Sequence, residues 1–168
     1  MTHSPTTTLA FTRSLNASPT AIWRCWTEPE LLRQWFAPKP ATTSRIVIEP
    51  KPGGRFFFEM QIPDHGPASG EGCVLIAEHG KRLIWTNSLT AGFAPQPLGT
   101  GPTDFAMTAE ILIAPEIEPE IDTPRAGTRY SASVFHATPE DAQKHRAMGF
   151  FEGWGAATGQ LEELAASL

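Results

Sequence analysis

Three side chains in this sequence are suited to chemistry by type and by pattern. Tyr130 is the one tyrosine in the chain. It alternates with Ala132, Val134 and His136 in a stretch, Thr128 to His136, that reads as a strand, so the phenol and the imidazole fall on one face. Asn87 lies in another strand pattern, Leu83 to Leu89. A buried phenol needs a hydrogen-bond partner. Tyr130 and Asn87 are therefore expected to supply a polar handle inside the fold, and any buried acid or base is expected to come from Tyr130, His136 or Asn87.

No recognisable catalytic motif accompanies them. There is no G-x-S-x-G and no H-E-x-x-H, and Gly53-Gly54 is followed by Arg55 rather than the Lys-Ser/Thr of a phosphate-binding loop. Of the other histidines, His3 is terminal, His65 and His79 sit in turns, and His145 projects opposite the apolar stripe of the last helix. None pairs at metal-ligand spacing, so neither a metal nor another cofactor is expected. Glu59 and Glu110 fall opposite apolar strand positions and read as solvated. Cys25 and Cys73 form no C-x-x-C and are expected to be reduced, buried thiols.

The elements that must position these groups follow from local pattern. Thr8 to Leu15 alternates as a strand. Ser18-Pro19 caps and opens a short helix through Trp26, and Glu28-Pro29 opens a second through Phe36, stopped by Pro38 and Pro40. Strands then follow: Thr43–Glu49; the run containing Phe56, Phe58, Met60 and Ile62; Gly72–Glu78; Leu83–Leu89; and the run containing Phe105, Met107, Ala109, Ile111 and Ile113. Residues 90–103 form a Gly/Pro-rich loop of the kind that often carries function. Residues 115–127, acidic and rich in proline, read as a solvated connection. Strands grouped apart from helices predict an α+β antiparallel sheet with its helices on one side.

From Thr138-Pro139-Glu140-Asp141 to Ser167 the pattern is that of one long helix. It contains Gly149, Gly153, Gly155 and Gly159, at about 1 kcal/mol each relative to alanine. Phe150, Trp154, Ala157, Leu161, Leu164 and Leu168 share one stripe, with Phe151 and Thr158 on its shoulder. Burial at roughly 1.5–3 kcal/mol per large apolar side chain outweighs the glycines. The glycines are expected to relieve crowding beside Trp154, or to let the helix bend and admit a ligand.

Length and composition agree with one globular domain over residues 1–168, residues 1–7 being flexible. The chain has 168 residues, 40% hydrophobic and 18% charged, with a net charge of −5. The acidic balance and the lack of Lys/Arg clusters argue against nucleic acid. No apolar run approaches the ~20 residues of a membrane span, and the N-terminus has neither the basic nor the apolar region of a signal peptide. A soluble, cytoplasmic protein is expected.

A family resemblance adds to this reading. Lys144-His145-Arg146-Ala147-Met148-Gly149-Phe150, continuing to Gly153-Trp154-Gly155, resembles the C-terminal helix of the SRPBCC superfamily (START-related, birch-pollen-allergen-like), closest to its heat-shock chaperone ATPase activator-like branch. Ala17-Ser18-Pro19 with Ile22-Trp23 and Trp26-Thr27, and Glu28-Pro29-Glu30-Leu31 with Trp35-Phe36, resemble its first two helices. Pro52-Gly53-Gly54-Arg55-Phe56, Gly70-Glu71-Gly72, Arg82-Leu83-Ile84-Trp85, Gly127-Thr128-Arg129-Tyr130, and Gly92-Phe93 with Pro95 resemble its strands and loops. The likeness spans residues 9–165.

It implies a helix-grip, in which a curved antiparallel sheet of six or seven strands wraps a long C-terminal helix and two short helices close one end. It also implies a cavity between sheet and helix, and a small apolar or amphipathic ligand. The candidate wall is Phe56, Phe58, Met60, Trp85, Asn87, Phe105, Met107, Tyr130, His136, Met148, Phe151 and Trp154. Each is as readily core as lining, but so many aromatics and methionines together suit an apolar pocket. Two other functions stay open: a cochaperone-like stimulator of a heat-shock chaperone ATPase, and a cyclase- or hydrolase-like enzyme acting on an aromatic or polyketide-like substrate. Many relatives pair into dimers, so a homodimer is a further expectation.

Overall fold

The structure is a computed structural model and describes residues 6–117 and 124–168. The elements run β1 (Thr8–Leu15), α1 (Pro19–Thr27), α2 (Pro29–Trp35), β2 (Thr42–Ile48), β3 (Arg55–Ile62), β4 (Gly66–Glu78), β5 (Arg82–Thr86), a small hairpin of β6 (Leu89–Thr90) and β7 (Ala94–Pro95), then β8 (Met107–Ile117), β9 (Pro124–His136), α3 (Pro139–Ala147) and α4 (Phe150–Ala166). Seven strands form one antiparallel sheet in the order β1-β9-β8-β5-β4-β3-β2. This is the expected α+β helix-grip.

Register builds the core face. One row of paired residues crosses five strands: Leu9 against Val134, Val134 against Ala109, Ala109 against Trp85, and Trp85 against Val74. All five are buried. Register shifts fall at Thr43/Arg45 in β2 and Val74/Ile76 in β4, where irregular pairing bends a strand and deepens the sheet's concavity. Gly70 and Gly72 sit opposite Phe58 and Phe56. A Cβ at Gly70 would run into the Phe58 ring, so the glycine is what lets that ring lie flat on β4.

The short helices start as their sequence requires. Ser18 Oγ accepts from the Ala21 backbone N–H at 3.2 Å, with Pro19 opening α1. Trp35 Nε1 donates to the Cys25 carbonyl at 3.0 Å, tying α2 to α1. The indoles of Trp26 and Trp35 meet edge-on at 4.8 Å. Cys25 and Cys73 are free and buried, and burial pushes the Cys25 thiol up to about 11.

The C-terminal segment departs from the single helix expected. It breaks at Gly149, which takes φ 88° and serves both as the stop after α3 and as the cap of α4. Only glycine holds that conformation without strain. The other glycines have separate reasons. At Gly155 a Cβ would lie 2.7 Å from Arg13 Nη2, and Arg13 Nη1 donates to the Gly155 carbonyl at 2.9 Å, so the missing side chain admits the guanidinium that pins α4 to β1. Gly153 and Gly159 face open space. The far half of α4 is held by Leu161 and Ala165 in the core, by Gln160 Nε2 donating to the Trp35 and Ala37 carbonyls at 2.9 Å each, and by the Asn16 N–H donating to Glu162 at 2.6 Å. Leu168, expected on the buried stripe, lies past the helix end and is 53% exposed.

Two further expectations meet the limits of the described residues. The segment 115–127 is not wholly a loop, because β8 runs to Ile117 and β9 begins at Pro124; residues 118–123 lie outside the described residues. The flexible lead expected over residues 1–7 lies outside them for 1–5, while the Thr7 carbonyl accepts from the His136 N–H at 2.9 Å.

The two kinds of glycine predict opposite responses. Gly159→Ala, in an exposed helix interior with free space, should raise unfolding free energy by about 0.5–1 kcal/mol in urea titrations. Gly149→Ala should lower it by about 1 kcal/mol or more. Stabilisation by both would contradict the break between α3 and α4.

Candidate functional site

Between the concave sheet and α4 lies a cavity of ≈ 690 Å³. One wall is Phe56, Phe58 and Met60 of β3, continued by Trp85 of β5 and Met107 of β8. The other is Phe150, Gly153, Trp154, Ala157 and Thr158 of α4, and α1 and α2 close one end with Trp26, Trp35 and Phe36. The aromatics prop one another. Phe36 packs on Phe58 at 5.1 Å and on Phe56 at 5.7 Å, and Phe56 on Trp85 at 4.5 Å. The loop after β5 borders it through Leu98, Gly99 and Asp104, and Met148, exposed, borders it between α3 and α4. A second concavity, ≈ 760 Å³, is an open surface groove beside α3 lined by Thr6, Pro139, Glu140, Gln143, Lys144 and Ala147; it lacks the enclosing aromatic walls.

Of the residues expected on the wall, Phe56, Phe58, Met60, Trp85, Asn87, Phe105, Met107, Tyr130, Met148 and Trp154 border this cavity, whereas His136 and Phe151 do not. Phe151 is 39% exposed and lies under the Arg146 guanidinium at 5.3 Å, on the outer side of α4. His136 is buried one layer behind, where its Nδ1 bonds the Thr7 carbonyl at 3.0 Å and its Nε2 meets His145 Nδ1 at 3.0 Å.

His145 itself overturns the expectation that it points away from the apolar stripe. It is 6% exposed and borders the cavity, ringed by Phe105 at 4.8 Å, Phe150 at 5.0 Å and Trp154 at 6.2 Å. A helical projection carried across Gly149 cannot place it, because α3 and α4 do not share an axis. Trp26, Trp35, Phe36 and Phe150 also border the cavity, beyond the wall expected from the sequence. The aromatic pairs on two amphipathic helices were the available signal, but core and lining share that pattern.

The polar groups on the wall have specific duties. Asn87 donates from Nδ2 to the Phe105 carbonyl at 2.8 Å, and its Oδ1 accepts from the Met107 N–H at 2.8 Å. Gln96 Nε2 reaches the Asn87 carbonyl at 2.6 Å and the Glu71 carbonyl at 2.8 Å. The carboxamide of Asn87 is thus the bracket that closes the 88–106 loop, not a free handle. Tyr130 is buried beside Trp26 and Thr158, and the Trp26 indole N–H has no hydrogen-bond partner. Burial pushes the Tyr130 pKa far above its ordinary value, so the phenol stays protonated. The Glu71 carboxylate is paired with Arg55 at 2.8 Å and Glu110 with Arg82 at 2.7 Å, so Glu110 is ion-paired rather than simply solvated. Among the described residues, no cluster of three or more His, Cys, Asp or Glu is placed to hold a metal ion, and no helix is long and apolar enough to cross a membrane.

A seven-stranded sheet clasping a C-terminal helix over an aromatic cavity defines a helix-grip protein of the SRPBCC superfamily. The family model described as "Activator of Hsp90 ATPase homolog 1-like protein" matches residues 16–166, and the chain belongs to that family. A solved structure of a protein from Nitrosomonas europaea is 38% identical with a TM-score of 0.85, covering 98% of this chain and 97% of its own. A protein from Rhodobacter sphaeroides is 23% identical, TM-score 0.77, covering 99% and 98%. An AHSA1-like protein from Aeromonas hydrophila is 16% identical, TM-score 0.62, covering 95% and 93%. These last two likenesses speak for the fold alone. None of the curated proteins matches the sequence.

The buried histidine pair predicts acid sensitivity. Burial, then the neighbouring His136, lowers His145 to about 4; burial also lowers His136, opposed in part by the Thr7 carbonyl and Asp141. Both folded values lie below the unfolded ~6.5. Between those limits the unfolded chain binds more protons, so this stability is complete above ~6.5 and is lost as pH falls toward 4. The loss should be on the order of 2 kcal/mol. Urea midpoints at pH 7 and pH 4.5 measure it, and the difference should shrink in His145→Asn.

Proposed function

We propose that this protein binds a small apolar or amphipathic molecule in the cavity between sheet and α4. The carrying observation is the cavity itself: ≈ 690 Å³, walled by aromatics and methionines. That volume falls in the ~300–1,000 Å³ range of small-molecule sites. Among the described residues no lysine or arginine borders it. A neutral guest is therefore favoured over a carboxylate or phosphate, whose charge would lose hydration without a cation to replace it.

The other functions find less support. Chaperone stimulation draws on the family's description alone. Acid/base catalysis meets the three residues expected for it already engaged, Tyr130 held protonated, His136 behind His145 and Asn87 bound to the loop backbone, while burial and His136 make His145 a weak base.

The test uses N-phenyl-1-naphthylamine, a neutral dye that brightens in apolar surroundings. It should bind the wild-type protein saturably. Gly153 borders the cavity with open space at its Cβ position, so Gly153→Leu should fill the hollow and weaken the dye at least about tenfold. Thermal stability should hold or rise, because leucine is the better helix former. Equal dye affinity in both proteins, or no saturable binding to the wild type, would refute the proposal.

A further inference from the structure

The histidine pair carries information about the guest that its apolar walls do not. The Thr7 carbonyl can only accept a hydrogen bond, so the hydrogen of the contact between it and His136 belongs to His136 Nδ1. In a neutral imidazole the other nitrogen is then an acceptor. The 3.0 Å contact from His136 Nε2 to His145 Nδ1 therefore requires the hydrogen on His145 Nδ1, which leaves His145 Nε2 with a bare lone pair.

That lone pair meets no donor among the described residues. Side-chain polar atoms that are both sealed and unpaired are found on Thr8, Trp26, Thr43, Trp85 and Glu116, and His145 Nε2 is not one of them. His145 borders the cavity, and Phe105, Phe150 and Trp154 around its ring border it too, so the unsealed nitrogen opens into the hollow.

Resting on the reading of this cavity as a ligand site, we propose that His145 is its specificity-determining residue and selects a neutral apolar molecule bearing a hydroxyl, phenolic or alcoholic, that donates to Nε2. An acceptor-only guest such as an ether or ketone gains no bond there. A carboxylate faces the lone pair with like polarity, and Asp104 on the lining adds charge of the same sign. Transfer of a proton from an acid guest would create an imidazolium that burial and the adjacent His136 both disfavour. His136 is a positioning residue, because it sets the tautomer of His145 without itself bordering the cavity.

The test displaces N-phenyl-1-naphthylamine at pH 7.5 with naphthalene, 2-naphthol or 2-naphthoate, in wild type and in His145→Asn. The asparagine amide stands where Nδ1 stood and can still donate to His136, but no atom replaces Nε2. The advantage of 2-naphthol over naphthalene should fall about tenfold in the variant, the scale of one buried hydrogen bond. The wild type should bind 2-naphthoate more weakly than either. An unchanged ratio, or 2-naphthoate as the tightest of the three, overturns the assignment to His145 while leaving the cavity reading intact. Failure of naphthalene and 2-naphthol alike removes both. Long-range 1H–15N spectra of the wild type give a readout that needs no variant: His145 should be protonated at Nδ1 and bare at Nε2, with the Nε2 resonance moving on addition of 2-naphthol. The opposite tautomer overturns the proposal.

Discussion

The fold depends on how unevenly α4 covers the concave face of the sheet. The face presents a continuous buried row from Leu9 to Val74, and leaving it wet would forfeit the main driving force for folding. The far half of α4 meets this demand directly, with Leu161 and Ala165 in the core and Gln160 and Glu162 bonded to neighbouring backbone. Its near half does so only in part. Phe150 is buried and packs on Phe11 of β1 at 6.2 Å, whereas Gly153 and Trp154 border the hollow. Arg13 fixes the helix at Gly155. The hollow persists because large rings on β3, β5 and α2 brace one another around it, so collapse would have to break ring packing instead of merely closing space.

Polar chemistry inside this hollow is governed by prior commitments. Asn87 and Gln96 hold the 88–106 loop along its edge, and Thr158 donates to the Trp154 carbonyl at 2.8 Å. A buried polar group left unpaired costs stability, so nearly all of these pair with the protein. The indole N–H groups of Trp26 and Trp85 are sealed and unpaired, and His145 Nε2 is left without a donor by a relay that begins at the Thr7 carbonyl on the lead into β1 and passes through β9 to α3. Family membership gives the scaffold; the polar atom it leaves without a partner is what the proposed discrimination among guests rests on.

Much of the fold was legible in the sequence. Strict alternation at Phe56, Phe58 and Met60, or at Ala109, Ile111 and Ile113, can serve only one buried face, and Ser18-Pro19 can hardly do other than start a helix. Large apolar residues on the inner face also named much of the cavity wall. The polar residues were harder. Asn87 sat on the right strand run, but only the path of residues 88–106 turned its amide toward the Phe105 carbonyl. His136 shares a face with Tyr130, yet the cavity stops short of it because His145 intervenes.

The sequence by itself determined which faces are apolar, where chain reversals fall, and that four glycines in the last segment needed a reason. Those properties depend on neighbours within a few residues, so local periodicity and backbone preference suffice. Only the tertiary structure decided what each glycine does: Gly149 breaks the helix, Gly155 admits Arg13, and Gly153 borders empty space. It alone likewise turned His145 inward. The break at Gly149 sets the direction of α3 independently of α4, and a side chain's partners across 142 residues of chain, as for Arg13 and Gly155, are fixed by packing that no local pattern encodes.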